Sequence, residues 1–214
     1  MSLRSKISEM QLDILKEIGN IGAGHAATSL STMLNKKIDM KVPSVRIVSF
    51  DEMIEITGGA EAIVAGVFLR IEGDAPGSMF FLLPVGQAEK YIQQLLGDHS
   101  ITLHNPHENE LGLSVLQELG NILAGSYLTS LSDFTGLSMH PSVPALGIDM
   151  AGAVVGSGLM EVSRAGDYAI LIDTVVKEDV APSNLEGVKA HFYLMPDPDS
   201  FSIIFTALGV EHDG

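Results

Sequence analysis

Leu12-Asp-Ile-Leu-Lys-Glu-Ile-Gly-Asn-Ile-Gly-Ala-Gly24 returns later in the chain as Leu113-Ser-Val-Leu-Gln-Glu-Leu-Gly-Asn-Ile-Leu-Ala-Gly125. The offset, 113 − 12 = 101 residues, also carries Thr28-Ser-Leu-Ser31 onto Thr129-Ser-Leu-Ser132 and Val42-Pro43 onto Val143-Pro144. A match reaching so far past one motif marks an internal duplication, and a repeat constrains the fold more than any single element does. Further on, Met79-Phe-Phe-Leu-Leu-Pro84 resembles His191-Phe-Tyr-Leu-Met-Pro196, and Leu96-Gly97 resembles Leu208-Gly209, now at an offset of 196 − 84 = 112. The extra residues, 112 − 101 = 11, are placed around Asp179 to Gly187, a polar stretch whose Pro182 and Asn184 predict a loop.

Each half reads as a long helix, a short linker ending at a proline, several strands and a closing amphipathic helix. The β-branched and apolar runs predict strands at Val45–Phe50, Ala62–Ile71 and Ser78–Leu83 in the first half. In the second they fall at Ile148–Val155, Gly158–Ser163, Ala169–Lys177 and Val188–Met195. The closing helices are expected at Gly86–Leu96 and Pro198–Leu208, and Pro43 and Pro144 suit the first position of a strand, where no ladder bond is lost. Two halves, about 8–99 and 108–211, are each too small to bury much core. The expected fold is therefore α/β, internally duplicated and pseudo-twofold, with one shared, mostly antiparallel sheet and the two motif helices on its surface. Residues 1–214 are then one domain and not two.

Composition excludes several classes of function. The chain has 214 residues, 46% of them hydrophobic, and a mean hydropathy of +0.28, enough apolar material for a real core. Twelve Lys and Arg against 27 Asp and Glu give a formal charge of −15, which repels nucleic acid and anionic lipid. No apolar run is long enough to span a bilayer, and the opening Met1-Ser-Leu-Arg-Ser-Lys6 lacks the apolar core of a secretion signal, so a cytoplasmic protein is expected. The absence of cysteine removes disulfides, thiolate metal sites and thiol nucleophiles together.

On a helix advancing about 100° per residue, Asp13, Glu17 and Asn20 share a stripe roughly 60° wide. Ile14, Leu15, Ile18 and Ile21, flanked by Leu12, cover the other side and seat the helix on a sheet. Ser114, Glu118 and Asn121 repeat the stripe over Leu113, Val115, Leu116, Leu119 and Ile122, and Gly24 and Gly125 lie one turn beyond each Asn. Such a stripe is ordinarily a solvated face. Its Glu and Asn are, however, retained in both copies while neighbours such as Lys16 and Gln117 have diverged. The retained Gly19 and Gly120 suit either close packing or close approach. An amide cannot take a proton at neutral pH, and no Cys or repeated His accompanies it, so the face is not a self-contained active site. What an amide can do is hold an attacking water in line with a phosphoryl group, while the phosphate-bearing protein supplies metal and counter-charge. Glu17 and Glu118 then dock by pairing with a lysine.

At these residues the chain resembles the CheC/CheX/FliY chemotaxis phosphatase family, whose signature is Asp or Ser, three residues, Glu, two residues, Asn, twenty-two residues, Pro. Asp13, Glu17, Asn20 and Pro43 satisfy it once, and Ser114, Glu118, Asn121 and Pro144 satisfy it again. The resemblance extends over essentially the whole chain. It implies hydrolysis of the aspartyl phosphate on the response regulator CheY, with Asn20 and Asn121 orienting water and Glu17 and Glu118 pairing with the regulator's active-site lysine. Asp13 and Ser114 become auxiliary members of the same face. It implies no cofactor bound by this chain, the Mg²⁺ belonging to the substrate protein, and it makes the receptor deamidase CheD a second expected partner.

A different class of reading is a non-catalytic flagellar switch scaffold or CheD-binding adaptor, like the FliM middle domain, which resembles Gly19-Asn-Ile-Gly-Ala-Gly-His25. That reading expects loss of the Glu/Asn pairs and a further C-terminal domain, whereas both pairs are kept and the sequence ends at Gly214. His99, His104 and His107, with Asp98 and Glu108, offer metal-ligating types, but in a polar linker without helical i, i+4 spacing they read as a solvated loop. His25 is matched by Ser126 and so is not a shared catalytic group. Gly22-Ala-Gly24 is too short and wrongly placed for a phosphate-binding loop, and the ten methionines read as core filler.

Overall fold

The computed structural model describes residues 7–103, 109–161, 168–178 and 188–209. In chain order they form α1 (Glu9–Leu34), β1 (Ile38–Ser49), α2 (Phe50–Ile56), β2 (Ile63–Gly73), β3 (Gly77–Pro84), α3 (Val85–Leu96) and α4 (Glu110–Thr135). There follow β4 (Met139–Pro141), β5 (Ala145–Met150), α5 (Ala151–Glu161), β6 (Tyr168–Glu178), β7 (Val188–Pro196) and α6 (Pro198–Ala207). The two motif segments are the long helices α1 and α4. At the start of α1, Ser8 and Gln11 cap one another reciprocally, and the helix ends at Asn35 in the left-handed region with φ 50°. Asn109 accepts a hydrogen bond from the Gly112 N–H to start α4, and Gly136, φ 69°, ends it.

One sheet runs β1-β6-β7-β3-β2-β4, with β5 also paired to β2, and every pairing is antiparallel. The first strand of each half is delivered to the other half: β1 pairs with β6, while β4 and β5 pair with β2. The third strands, β3 and β7, meet at the centre. Exchanging the halves leaves this order unchanged, which is the pseudo-twofold arrangement that the repeat predicts. Helices α1, α3, α4 and α6 contribute side chains to the larger core on one face, and Met53 of α2 and Val155 of α5 join a smaller core on the other.

Four expectations need correction. The predicted strand at Ile148–Val155 stops at Met150, and of the strand predicted at Gly158–Ser163 the described part is helical, because α5 takes Ala151–Glu161; Val162 and Ser163 lie outside the described residues. This run of small apolar residues has no strong period, and packing decides it: Gly158 lies so close to Phe80 that a Cβ there would sit 1.7 Å from the ring. Helix α2 was not expected, although Ser49 and Glu52 form the capping box that announces it. Pro43 does not open a strand. It lies inside β1 at a bulge, where Val42 and Pro43 oppose only Thr174. Finally, the offset of 112 is one residue out. Phe80 and Leu82 face the smaller core with Tyr193 and Met195, so the offset must be odd, since a slip of one turns every side chain to the other face. With β2 matching β6 at 168 − 63 = 105, the partners of Ile71 and Val176 are Gly77 and Val188, and the offset is 188 − 77 = 111. The closing helices α3 and α6 match their expected positions to within one residue. The loop expected at Asp179–Gly187 lies outside the described residues.

Tyr127 of α4 joins the layers. Its ring meets Phe192 of β7 edge-on at 5.1 Å, its hydroxyl lies 2.7 Å from the Thr174 hydroxyl of β6, and its backbone lies under Gly22 of α1. Burial pushes its phenol well above the ordinary range, keeping it a neutral hydrogen-bonding group. A Cβ on Gly22 would approach the Tyr127 ring to 2.7 Å and its Cα to 3.0 Å, so no side-chain rotation alone relieves the clash. On the other sheet face, Asp173 accepts from Ser44 Oγ at 2.5 Å, contacts His191 Nδ1 at 3.0 Å and lies 3.8 Å from Arg46 Nε. Partial burial raises this carboxyl, but the hydrogen bonds from His191 and Ser44 and the charges of His191 and Arg46 hold it below its ordinary value.

Two outcomes follow from these contacts. Gly22→Ala should lower stability by about 1–3 kcal/mol in urea unfolding although alanine is the better helix former, and an unchanged midpoint would show that α1 and α4 can separate freely. A depressed carboxyl stabilises above the unfolded value of about 3.9 and loses that contribution as pH falls through its lower folded value. Asp173→Asn should therefore lower the midpoint clearly at pH 5 and less at pH 3, and a gap independent of pH would refute the assignment.

Candidate functional site

The stripes emerge where the periodicity places them. Asp13 and Glu17 on α1, and Ser114 and Glu118 on α4, are exposed, and Asn20 and Asn121 are half-buried at the edge of their helices. A Cβ on Gly24 or Gly125 would meet nothing within 4 Å, so both glycines leave open space beside the Asn. Gly120 is held to close packing, since a Cβ there would lie about 3 Å from Val67, while Gly19 would make only ordinary contacts with Val42 and Ile172. Ile21 departs from the expected apolar arc and is 40% exposed. The buried face of α1 is centred instead on Ile18, Gly19, Gly22, Ala23 and Ala26, small residues that let the helix approach its neighbours closely.

The copies diverge in what their Asn does. At the β1 bulge the extra residue leaves Val42 outside the strand ladder, and Asn20 takes over both of its backbone groups. The Val42 N–H donates to Asn20 Oδ1 at 2.9 Å, and Asn20 Nδ2 donates to the Val42 carbonyl at 3.1 Å and the Lys16 carbonyl at 3.0 Å. An amide side chain suits this position because it carries a donor and an acceptor side by side. In this copy the twenty-two residues between Asn20 and Pro43 bring the helix amide against the bulge.

The second copy closes the same gap differently. Ser142, Val143 and Pro144 oppose two residues of β2, again one residue extra. Ser142 satisfies the neighbouring strand itself: its N–H donates to the Arg70 carbonyl at 2.8 Å and its Oγ accepts from the Arg70 N–H at 2.9 Å. Gln117 Nε2 donates to the Pro144 carbonyl at 3.3 Å. Asn121 has no hydrogen-bond partner among the described residues, nor do Asp13, Glu17 and Glu118, whereas Ser114 Oγ donates back to the Glu110 carbonyl at 2.8 Å. Val42 is 1% exposed, and its counterpart Val143 is 87% exposed. The sequence signal for this difference is Ser142 where the first copy has Lys41, immediately before an otherwise retained Val-Pro.

The remaining candidates stay apart from the stripes. His25 Nδ1 lies 3.5 Å from Ser130 Oγ between the two long helices. His99 is exposed, and Asp98 accepts from the Ser100 N–H and hydroxyl. His104, His107 and Glu108 lie outside the described residues. Among the described residues no group of three or more His, Asp or Glu is placed to hold a metal ion, and no helix is long and apolar enough to cross a membrane.

A family model described as the CheC-like family matches residues 10–47 and 111–148, the segments that carry both stripes and both prolines. The chain is 49% identical over 209 residues to the CheY-P phosphatase CheC of Bacillus subtilis strain 168, covering 98% of this chain and 99% of that protein. The chain belongs to the CheC-like family. A second relative, the flagellar motor switch phosphatase FliY of the same organism, is 34% identical over 138 residues, which are 64% of this CheC-like chain and 35% of FliY. The crystal structure of Thermotoga maritima FliY superposes with a TM-score of 0.72 at 21% identity, covering 95% of this chain and 98% of that one. At that identity the likeness is one of fold.

Within this CheC-like chain the two Asn side chains therefore differ in structural burden. Asn20→Ala strands a buried N–H and carbonyl at the bulge and should cost about 1–3 kcal/mol, whereas Asn121→Ala should stay within about 0.5 kcal/mol of wild type. Urea midpoints of the two variants decide this, and equal losses would show that Asn20 is as unencumbered as Asn121.

Proposed function

We propose that this chain hydrolyses the aspartyl phosphate of a CheY-type response regulator. The observation that carries the reading is a carboxylate and an amide one turn apart on the exposed side of each long helix, at the positions of the family signature. Close similarity to a CheY-P phosphatase across nearly the whole chain supports it. A convex surface without its own nucleophile can act on a phosphate that another protein presents, and it needs only to position.

In this mechanism Glu118 or Glu17 pairs with a lysine beside the regulator's phosphorylation site, and the Asn one turn on reaches toward the phosphoryl group. The amide holds a water in line. Water oxygen bonds to phosphorus, the bond from phosphorus to the aspartyl oxygen breaks, and the carboxylate leaves with its electron pair. Both water protons depart with inorganic phosphate. Mg²⁺ bound by the regulator neutralises charge on the transferring group, so this chain supplies no metal ligand. Asp13 and Ser114 assist on the same face. The regulator's compartment, the cytoplasm, is the proposed site of action, and a CheD-type deamidase is a proposed second partner.

The test is the decay of a phosphorylated CheY-type receiver with and without the protein. Wild type should accelerate decay, and the double variant Asn20→Ala, Asn121→Ala should not, while still binding the receiver. Binding by wild type without acceleration would sink the phosphatase reading and leave a switch scaffold in its place.

A further inference from the structure

We propose that the two faces divide the work: α4 carries the catalytic amide, Asn121, and the apolar Val143 beside it contacts the receiver, while Asn20 on α1 serves as a backbone clamp. This rests on the phosphatase reading above and goes beyond it, because the sequence signature alone makes the faces equivalent.

Two independent observations carry the assignment. The first is hydrogen bonding. Asn20 has both ends of its amide committed to Val42, so orienting water with it would strip the N–H and carbonyl of a buried strand residue of their partner. Asn121 is under no such obligation, because Ser142 supplies the bonds that close the second bulge. The second is the exposure of the paired valines. Val42 is tucked beneath α1 against Gly19, whereas Val143 stands in solvent at 87% exposure. Gln117, one helical turn before Asn121, holds the adjoining Pro144 carbonyl at 3.3 Å, which fixes the Val143 segment alongside the working stripe. An exposed aliphatic side chain on a segment tied to α4 by Gln117, together with the amide and carboxylate of that helix, offers a docking protein an apolar contact besides the charge contact and the reacting contact.

The occupant is the phosphorylated receiver itself. A regulator whose lysine meets Glu118 and whose phosphate meets Asn121 must bring its surface over the Ser142–Pro144 segment, which is tied to the same stretch of helix. No comparable apolar side chain stands next to Pro43, where Lys41 and Pro43 are exposed and Val42 is covered.

The experiment measures receiver-phosphate decay against protein concentration for wild type, Asn121→Ala, Asn20→Ala and Val143→Ser, with urea midpoints for each. Asn121→Ala should lower the limiting rate by at least about tenfold at an unchanged midpoint. Asn20→Ala should lower the midpoint and, assayed below its transition, lose less of the limiting rate than Asn121→Ala does, and failure of this variant to fold would equally support the clamp. Val143→Ser should raise the concentration for half-maximal acceleration about threefold or more without changing the limiting rate. Asn20→Ala and Asn121→Ala losing rate equally, or Val143→Ser matching wild type, would overturn the division. An inactive wild type would instead overturn the phosphatase reading beneath it.

Discussion

Tyr127 is the point at which helices and sheet are fixed to one another. Its ring packs on Phe192, which in turn stacks on Phe81 at 4.8 Å across the central seam of β3 and β7. Through Thr174 it reaches β6, and through Gly22 it sets the distance to α1. The positions of both polar stripes follow from this arrangement, because a helix packed on a sheet by one face presents the opposite face to solvent. The small residues on the buried face of α1 and the close approach of Gly120 to Val67 keep that presentation tight. The interior thus specifies where the Glu and Asn side chains stand before any partner arrives.

The bulges impose the second constraint. An extra residue in an otherwise regular edge strand leaves a backbone group without a ladder partner, and a buried orphan of that kind must find one. The first copy answers with Asn20 and the second with Ser142. One solution occupies the amide of the motif and the other leaves it open. A signature shared by both copies therefore conceals a physical difference that arises about twenty residues downstream of it, in the strand and not in the helix.

Much of this was legible in the sequence, for reasons that can be named. The duplication, the long helices and the outward stripe were readable because a helical period repeated twice is a strong signal and Glu17, Asn20, Glu118 and Asn121 stand at helical spacing. The run Ala151–Glu161 misled because valines among alanines and glycines fit a strand as well as a helix, and only the fit of Gly158 against Phe80 selects between them. The halves could be aligned but not to the residue, since the similar strings around Phe80 and Tyr193 match best in letters when their faces disagree. The role of Asn20 was hidden because the bulge that it serves is a matter of pairing register, which a single strand does not announce. The capping box at Ser49 and Glu52 was, by contrast, a local signal available to be read.

The crossing of first strands bears on how such a molecule can come into being. A half on its own would hold β1 with no β6 beside it, a β2 whose flank lacks β5 and a β3 whose flank lacks β7, each an open edge facing solvent. Two separate copies could satisfy each other only by reciprocal exchange, so the structured unit would be a pair whose population falls on dilution. Joining the copies through the segment after α3 turns that encounter into an intramolecular one, at an effective concentration on the order of millimolar for a short tether. The fusion thereby frees each copy from matching its twin, since one chain now carries two surfaces under separate mutational control. The unlike treatment of Asn20 and Asn121 is a divergence that a symmetric pair of identical chains could not have recorded.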